Sequence, residues 1–185
     1  MNARHYQEEI KKIKALKKII PIIAAILLLA IFVTSANAQV TGTANGTASV
    51  ITPIAIANAG NLNFGNIAVG SNPGTVVLTP DGSRSLTGGV TLPVVAGPFS
   101  AATFTVTGLG SSTYSILLPT SYSISDGANH SLTISSFTSN PSGAGIISRG
   151  GSQTINVGAT LNILGSQAAG SYANATGFPV IVNYN

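Results

Sequence analysis

From residue 39 onward apolar residues recur at every second position through short segments, and the three-to-four-residue spacing of an amphipathic helix is missing. Clusters of Gly, Pro, Asn and Ser interrupt these segments every 8–15 residues, which is the punctuation of an all-β antiparallel sandwich or barrel. The segments are rich in Val, Ile, Thr, Phe and Tyr. They predict strands at Thr47–Ala57, Asn61–Ile67, Thr75–Thr79, Ser85–Leu92, Ala102–Thr107, Thr113–Leu118, Ser131–Phe137, Gln153–Val157, Thr160–Leu164 and Phe178–Tyr184. Phe104 and Val106 alternate with Thr103, Thr105 and Thr107, and Leu132 and Ile134 alternate with Ser131, Thr133 and Ser135. A strand sends successive side chains to opposite faces, so these segments are apolar on one side and hydroxylated on the other. Pro80-Asp81-Gly82 and Ser125-Asp126-Gly127 carry turn chemistry, with Asp bonding its own backbone and Gly supplying positive φ.

The first 38 residues read differently. Lys11, Lys12, Lys14, Lys17 and Lys18 precede an apolar run, Ile19 to Val33, broken only by Pro21. Ala36-Asn37-Ala38 then supplies a small-x-small cleavage site, leaving Gln39 as the new N-terminus. The run is shorter than the ~20 residues that span a bilayer. Residues 1–38 are therefore expected to be a cleaved signal peptide in a helix, with no stable membrane span afterwards. Residues 39–46 form a short flexible extension, and 47–185 a single domain. The protein is expected to be exported, to the periplasm, the cell surface or the medium.

Charge narrows the function classes. Residues 1–38 hold six Lys or Arg and two Asp or Glu, and residues 39–185 hold two of each, so the whole net charge of +4 belongs to the leader. A domain with so few cations has no nucleic-acid-binding surface. Cys is absent, which removes disulfides and thiolate metal sites. A catalytic reading rests on His130, Asp126 and one of many serines, but no nucleophile elbow accompanies them; a loop histidine is the plainer reading. One His and two separated Asp make a poor metal site. Gly88-Gly89 and Gly150-Gly151 read as bulges or tight corners rather than phosphate cradles, because no helix follows them. Arg84 and Arg149 read as surface charges beside turns. The expectation is a non-catalytic protein without cofactor or metal.

The C-terminus is the most informative segment. Phe178, Val180, Val182 and Tyr184 alternate with Pro179, Ile181, Asn183 and Asn185. Four such side chains, buried together, contribute roughly 6–12 kcal/mol as an upper bound. Ordering the segment opposes this by about 1–2 kcal/mol per residue, so the strand is stable only when paired within a sheet.

Three groups of residues together resemble a family. They are Val50-Ile51-Thr52-Pro53-Ile54-Ala55-Ile56 leading into Leu62-Asn63-Phe64-Gly65, then Gly158-Ala159-Thr160-Leu161-Asn162-Ile163, and finally Ala169-Gly170-Ser171-Tyr172 followed by Phe178 to Asn185. This looks like the DUF4402 family of exported bacterial proteins and, more loosely, like spore-coat-U-like and archaic chaperone–usher pilin subunits. The resemblance implies an immunoglobulin-like, pilin-like sandwich whose open edge is filled by a strand from a neighbour, which is β-augmentation. It also implies that a periplasmic chaperone grips the C-terminal strand, at Gly170, Phe178, Val180, Val182 and Tyr184. Val50, Ile54 and Ile56 would form the opposing N-terminal strand. Two features depart from such pilins: no disulfide is possible, and the stretch ahead of the first strand, Gln39 to Gly46, is short and nearly featureless. Either that stretch donates, or Ala48–Ile56 does.

The function expected is thus an exported structural or adhesive surface subunit that joins a chaperone and then a like or related subunit by strand addition. The first alternative is a self-contained module binding a surface glycan or protein, with Tyr114, Tyr122 and Tyr172 as candidate contacts. The second is a secreted hydrolase.

Overall fold

The computed structural model describes the backbone of residues 3–30 and 39–185, with the side chains of 8–25 and 39–185. The chain divides into two compact units, Met1–Ala48 and Ser49–Asn185. In the first unit a helix, α1 (Ala3–Ala30), carries the lysine cluster and the start of the apolar run, with Pro21 inside it. Glu9 and Lys12, one turn apart, form an exposed ion pair at 3.0 Å. Among the described residues no helix is long and apolar enough to cross a membrane. The cleavage-site residues Ala36 and Ala38 lie outside the described residues; Gln39 opens an exposed stretch without secondary structure that runs through Pro53, and half-buried Ile54 leads into the first strand.

The second unit is an antiparallel β-sandwich of ten strands. They are β1 (Ala55–Gly60), β2 (Ala68–Leu78), β3 (Arg84–Thr91), β4 (Ala102–Thr107), β5 (Thr113–Leu117), β6 (Ser121–Ser125), β7 (Ser131–Asn140), β8 (Ala144–Ile146), β9 (Ser152–Ile163) and β10 (Ile181–Tyr184). β9 is the spine. One of its sides pairs with β7, and β6 lies beyond β7. Its other side holds two strands end to end: β4 pairs with Ser152–Val157, and β2 pairs with Ala159–Ile163. β1 extends β4, and β3 extends β2. The second sheet is short, in the order β10-β5-β8.

Two apolar clusters follow from this layout. Val76, Leu78, Leu132, Ile134, Leu161 and Ile163 form one, with Phe64 and Val90, beneath β2, β3, β7 and the second half of β9. The other lies between β4 with the first half of β9 and the small sheet; it contains Phe104, Val106, Tyr114, Ile147, Ile155, Val157 and Val182. Leu62 and Phe137 pack against both.

The alternation in β4 is as expected, with Ala102, Phe104 and Val106 buried. Other boundaries need correction, each for an identifiable reason. Thr47–Ala57 becomes a strand only from Ala55, because none of the described residues pairs with 47–54. Asn61–Ile67 makes a single bridge, Asn63 to Ser100, and otherwise packs as a loop. Gln153–Val157 and Thr160–Leu164 are one strand. Gly158 between them is not a breaker but a close approach, where an added Cβ would collide with the Leu78 carbonyl and the backbone of Thr79. β7 runs three residues past Phe137 because a bulge between Ser135 and Thr138, with Ser136 at φ 50°, resets its phase. Leu132 and Ile134 point inward before the bulge, and Phe137 and Ser139 after it. The last strand pairs only from Ile181, since Pro179 has no N–H to give a ladder.

Candidate functional site

The C-terminal strand lies on the rim of the small sheet. Ile181, Val182, Asn183 and Tyr184 stand opposite Leu117, Ile116, Ser115 and Tyr114 of β5. Val182 is buried and Phe178, Val180 and Tyr184 are half-buried, all against the cluster that holds Phe104 and Tyr114. Ile181 and Asn183 face outward. The period-two pattern of Phe178 to Tyr184 thus continues through the unpaired residues 178–180.

Phe178 sits where three rings converge. Its ring centre is 4.9 Å from Phe137, 6.0 Å from Phe104 and 6.1 Å from Tyr122, the last two edge-to-face. Tyr122 packs on the first cluster and Phe104 belongs to the second, so Phe178 joins the two. At the other end of the strand the Tyr184 hydroxyl donates to the Thr52 carbonyl (2.9 Å) and accepts from the Leu109 N–H (2.6 Å). Gly108 is required beside it, because a Cβ there would meet that hydroxyl.

The remaining expected residues fall in different places. Ile54 and Ile56 pack against the second cluster, Ile56 within β1. Val50 is 98% exposed and packs on nothing, so it does not belong to that strand. Gly170 is exposed in the loop before β10; the atoms nearest to a Cβ added there belong to Asp126 (Cβ at 3.3 Å) and Tyr172, not to the Phe178–Tyr184 row. Gln39 is exposed.

The sheet edges are not equivalent. β1 carries an irregularity between Asn58 and Gly60. β3 carries Arg84 and is bent near Gly88, at φ 71°. β6 is bridged at Ser125 by Ala173, and β8 has only three residues. Charges, bulges, short length and coverage are the usual devices that blunt an edge. β10 is itself short, with four residues, but has neither a charge nor a bulge. It contains no charge, glycine or proline, and its ladder bonds go only to β5.

The polar residues serve the scaffold. Asp126 Oδ2 accepts from His130 Nδ1 at 2.6 Å, and Oδ1 accepts from the N–H groups of Ala128 (2.8 Å) and His130 (3.2 Å). The His130 bond, then these backbone donors, hold the Asp126 carboxyl below the usual carboxylate range against the opposing effect of burial. The pair ties the β6–β7 turn together. Arg84 is not a free surface charge. Its guanidinium lies 4.2 Å from the Phe99 ring centre and Nη1 donates to the Phe64 carbonyl at 2.5 Å. Tyr114, a candidate contact in the alternative reading, is fully buried, donates to Gln153 Oε1 at 2.8 Å, and has its phenol pushed up by burial. Tyr172 is half-buried, with its hydroxyl bonded to the Ala168 carbonyl at 2.7 Å.

Sequence reasoning also passed over a pattern ahead of the domain. From Val40 to Val50 the even positions are Val, Gly, Ala, Gly, Ala and Val, and the odd ones are Thr, Thr, Asn, Thr and Ser. The small residues conceal a period of two in what reads at first as a featureless stretch.

An antiparallel sandwich whose C-terminal strand forms an uncharged, bulge-free edge of its smaller sheet is the class these features define. The chain belongs to the family described as a domain of unknown function, DUF4402, whose profile matches residues 54–184, from the residue before β1 to the last residue of β10. No curated protein and no solved structure matches the chain.

Proposed function

We propose that this protein is an exported, non-catalytic structural or adhesive surface subunit, pilin-like and immunoglobulin-like in plan, that joins other chains by strand addition along β10. One observation carries the reading: among the described residues, the edge strand β10 carries no charge, bulge, glycine or proline, while its inward face is anchored by Val182 and Tyr184. An added strand would gain backbone hydrogen bonds from the free side of Ile181–Tyr184. The alternating stretch Val40–Val50 has the form of a donor. Its backbone is unpaired in this structure. A periplasmic chaperone that holds the same edge before a like subunit arrives is part of the proposal.

The test uses hydrogen exchange on the purified chain, with and without excess peptide of residues 39–57. The β10 amides that do not bond to β5 should exchange fast alone and slow by at least tenfold with peptide. A peptide with Asp at positions 40, 44, 48 and 50 should have no effect. Unchanged exchange at saturating peptide would overturn the assignment.

The second reading, a self-contained surface-binding module, is favoured by the closure of both clusters without an added strand: Tyr114, Leu78, Ile147 and Ile155 are fully buried by this chain alone. It predicts a monomer indifferent to the peptide.

A further inference from the structure

The sequence contains one Asn-Gly step, Asn45-Gly46. It lies in the middle of the stretch Val40–Val50, which has no secondary structure and is exposed at every residue. Among the described residues, neither the Asn45 side chain nor the Gly46 N–H has a hydrogen-bond partner. No heavy atom lies within 4 Å of where a Cβ on Gly46 would stand. Glycine sets no side chain against a ring closing at its own nitrogen, and its backbone reaches the angles that closure needs.

Comparable steps in the sandwich are restrained. The two Asp-Gly steps, Asp81-Gly82 and Asp126-Gly127, both sit in turns. The Gly82 N–H donates to the Thr79 carbonyl (3.0 Å), and Asp81 Oδ1 accepts from the Ser83 N–H (3.2 Å). Asp126 accepts from His130 Nδ1 and from the Ala128 N–H (2.8 Å). The Thr79 hydroxyl at Asp81 and His130 at Asp126 hold both carboxyls below the usual carboxylate range. They therefore stay ionised, and a carboxylate is a poor target for an amide nitrogen. Asn58 and Asn174 each precede an alanine, but their amides are tied. Asn58 Nδ2 donates to the Gly60 carbonyl (3.3 Å); Asn174 Nδ2 donates to the Ser123 carbonyl (3.0 Å), and its Oδ1 accepts from the Thr176 N–H (3.0 Å). Among the described residues, only Asn45 combines an unbonded amide, a following glycine and an unpaired backbone.

We infer that Asn45-Gly46 is a self-modifying site, which converts to aspartate and isoaspartate without an enzyme. The Gly46 backbone nitrogen attacks Asn45 Cγ. The N–Cγ bond forms, the Cγ–Nδ2 bond breaks, and ammonia leaves with the proton from the Gly46 nitrogen. Water then opens the cyclic imide at one of its two carbonyls. Opening at Cγ leaves aspartate; opening at the main-chain carbonyl leaves isoaspartate, in which the backbone runs through the former side chain. Either product places a negative charge in a stretch that has none, on a segment, 39–185, whose charges otherwise cancel. Isoaspartate also adds a methylene to the backbone, so Val40 and Ala44 fall out of phase with Ala48 and Val50. The consequence for assembly rests on the strand-addition reading. Pairing along β10 holds the stretch extended and ties its N–H groups, which stops the attack. A subunit left unpaired loses its donor with time, since a charge and a broken alternation both oppose strand pairing.

The test incubates the purified chain in warm, mildly alkaline buffer and maps it by peptide mass spectrometry at intervals, with an isoaspartyl methyltransferase counting the isoaspartate. Asn45 should gain one mass unit ahead of every other asparagine, and isoaspartate should accumulate there. Gly46→Ala should slow the gain at least tenfold, and Asn45→Gln should abolish it. Both variants should unfold as wild type does, because the two positions are exposed and nothing surrounds Gly46. An Asn45 that keeps its mass, another asparagine that changes first, or a Gly46→Ala chain that changes at the wild-type rate each overturns the site. Peptide 39–57 made with isoaspartate in place of Asn45 should then fail to slow exchange of the β10 amides. If it slows them as well as the ordinary peptide does, the effect on donation is overturned. If neither peptide slows them, strand addition falls, and the modification at Asn45 stands on its own mass data.

Discussion

The Tyr184 hydroxyl donates to the carbonyl of Thr52 at 2.9 Å and so fastens the last strand to the segment leading into the first, 132 residues away in sequence. The same oxygen accepts the Leu109 N–H at 2.6 Å, which leaves it bonded on both sides. Tyr184→Phe keeps the ring and removes both bonds, leaving the Leu109 N–H and the Thr52 carbonyl to water. Both bonds are exposed, so stability should fall by about 0.5–1.5 kcal/mol in chemical denaturation. Limited proteolysis should then cut faster between residues 47 and 54. Unchanged proteolysis in that segment would show that Thr52 is held by something else.

Phe178 is the joint between the two apolar clusters. Phe178→Ala withdraws a ring from Phe104, Tyr122 and Phe137 together. Because the ring is half-buried, the loss should lie at the low end of the ~3–5 kcal/mol seen for buried aromatics. Phe178→Leu should recover more than half of it. Thermal unfolding of the three proteins gives the ranking, and equal transitions for Ala and wild type would refute the role of the joint.

Gly158 is the point where the end of β2 and the turn after it cross the spine strand. Gly158→Ala drives a methyl group into the Leu78 carbonyl and the Thr79–Pro80 backbone. Backbone cannot swing aside as a side chain can, so the expected loss is about 1–3 kcal/mol or more. Gly46→Ala is the control, since nothing lies within 4 Å of the added atom there. Guanidinium titrations should separate the two variants, with the control matching wild type.

Acid should loosen the β6–β7 turn before the sheets. The Asp126 carboxyl is held down in the folded protein by His130 and by backbone N–H groups. Its contribution is therefore complete above the unfolded Asp value and is lost as pH falls through the lower folded value. Asp81 behaves alike at the β2–β3 turn, held down first by the Thr79 hydroxyl and then by the Ser83 N–H. Exchange of the Ala128 and His130 amides should accelerate through the acid range while β9 amides stay protected. Asp126→Asn should abolish the pH dependence of that step. Acceleration that persists in Asp126→Asn would assign it elsewhere.

The strand content, the antiparallel arrangement and the inward faces of β4, the first half of β7 and residues 178–184 were legible in the sequence. Alternation of Phe104 with Thr105, or of Val182 with Asn183, is a local property: one side chain per face follows from the backbone of an extended chain, whatever lies beyond it. Turn chemistry is equally local, as at Asp81 and Asp126. What required tertiary structure was long-range. Gly158 could not be told from a breaker until β2 was seen to pass over it. The phase shift in β7 arises from pairing with β9, not from Ser136 itself. Val50 and Ile54 look alike in sequence, yet only Ile54 finds a cluster to pack on. The edge position of β10 is likewise set by which strands take the other places around β9 and β5. A sequence specifies which face of a strand is apolar, because that depends on neighbours along the chain. Which neighbour covers a face or an edge depends on contacts between distant segments, and only folding brings those into being.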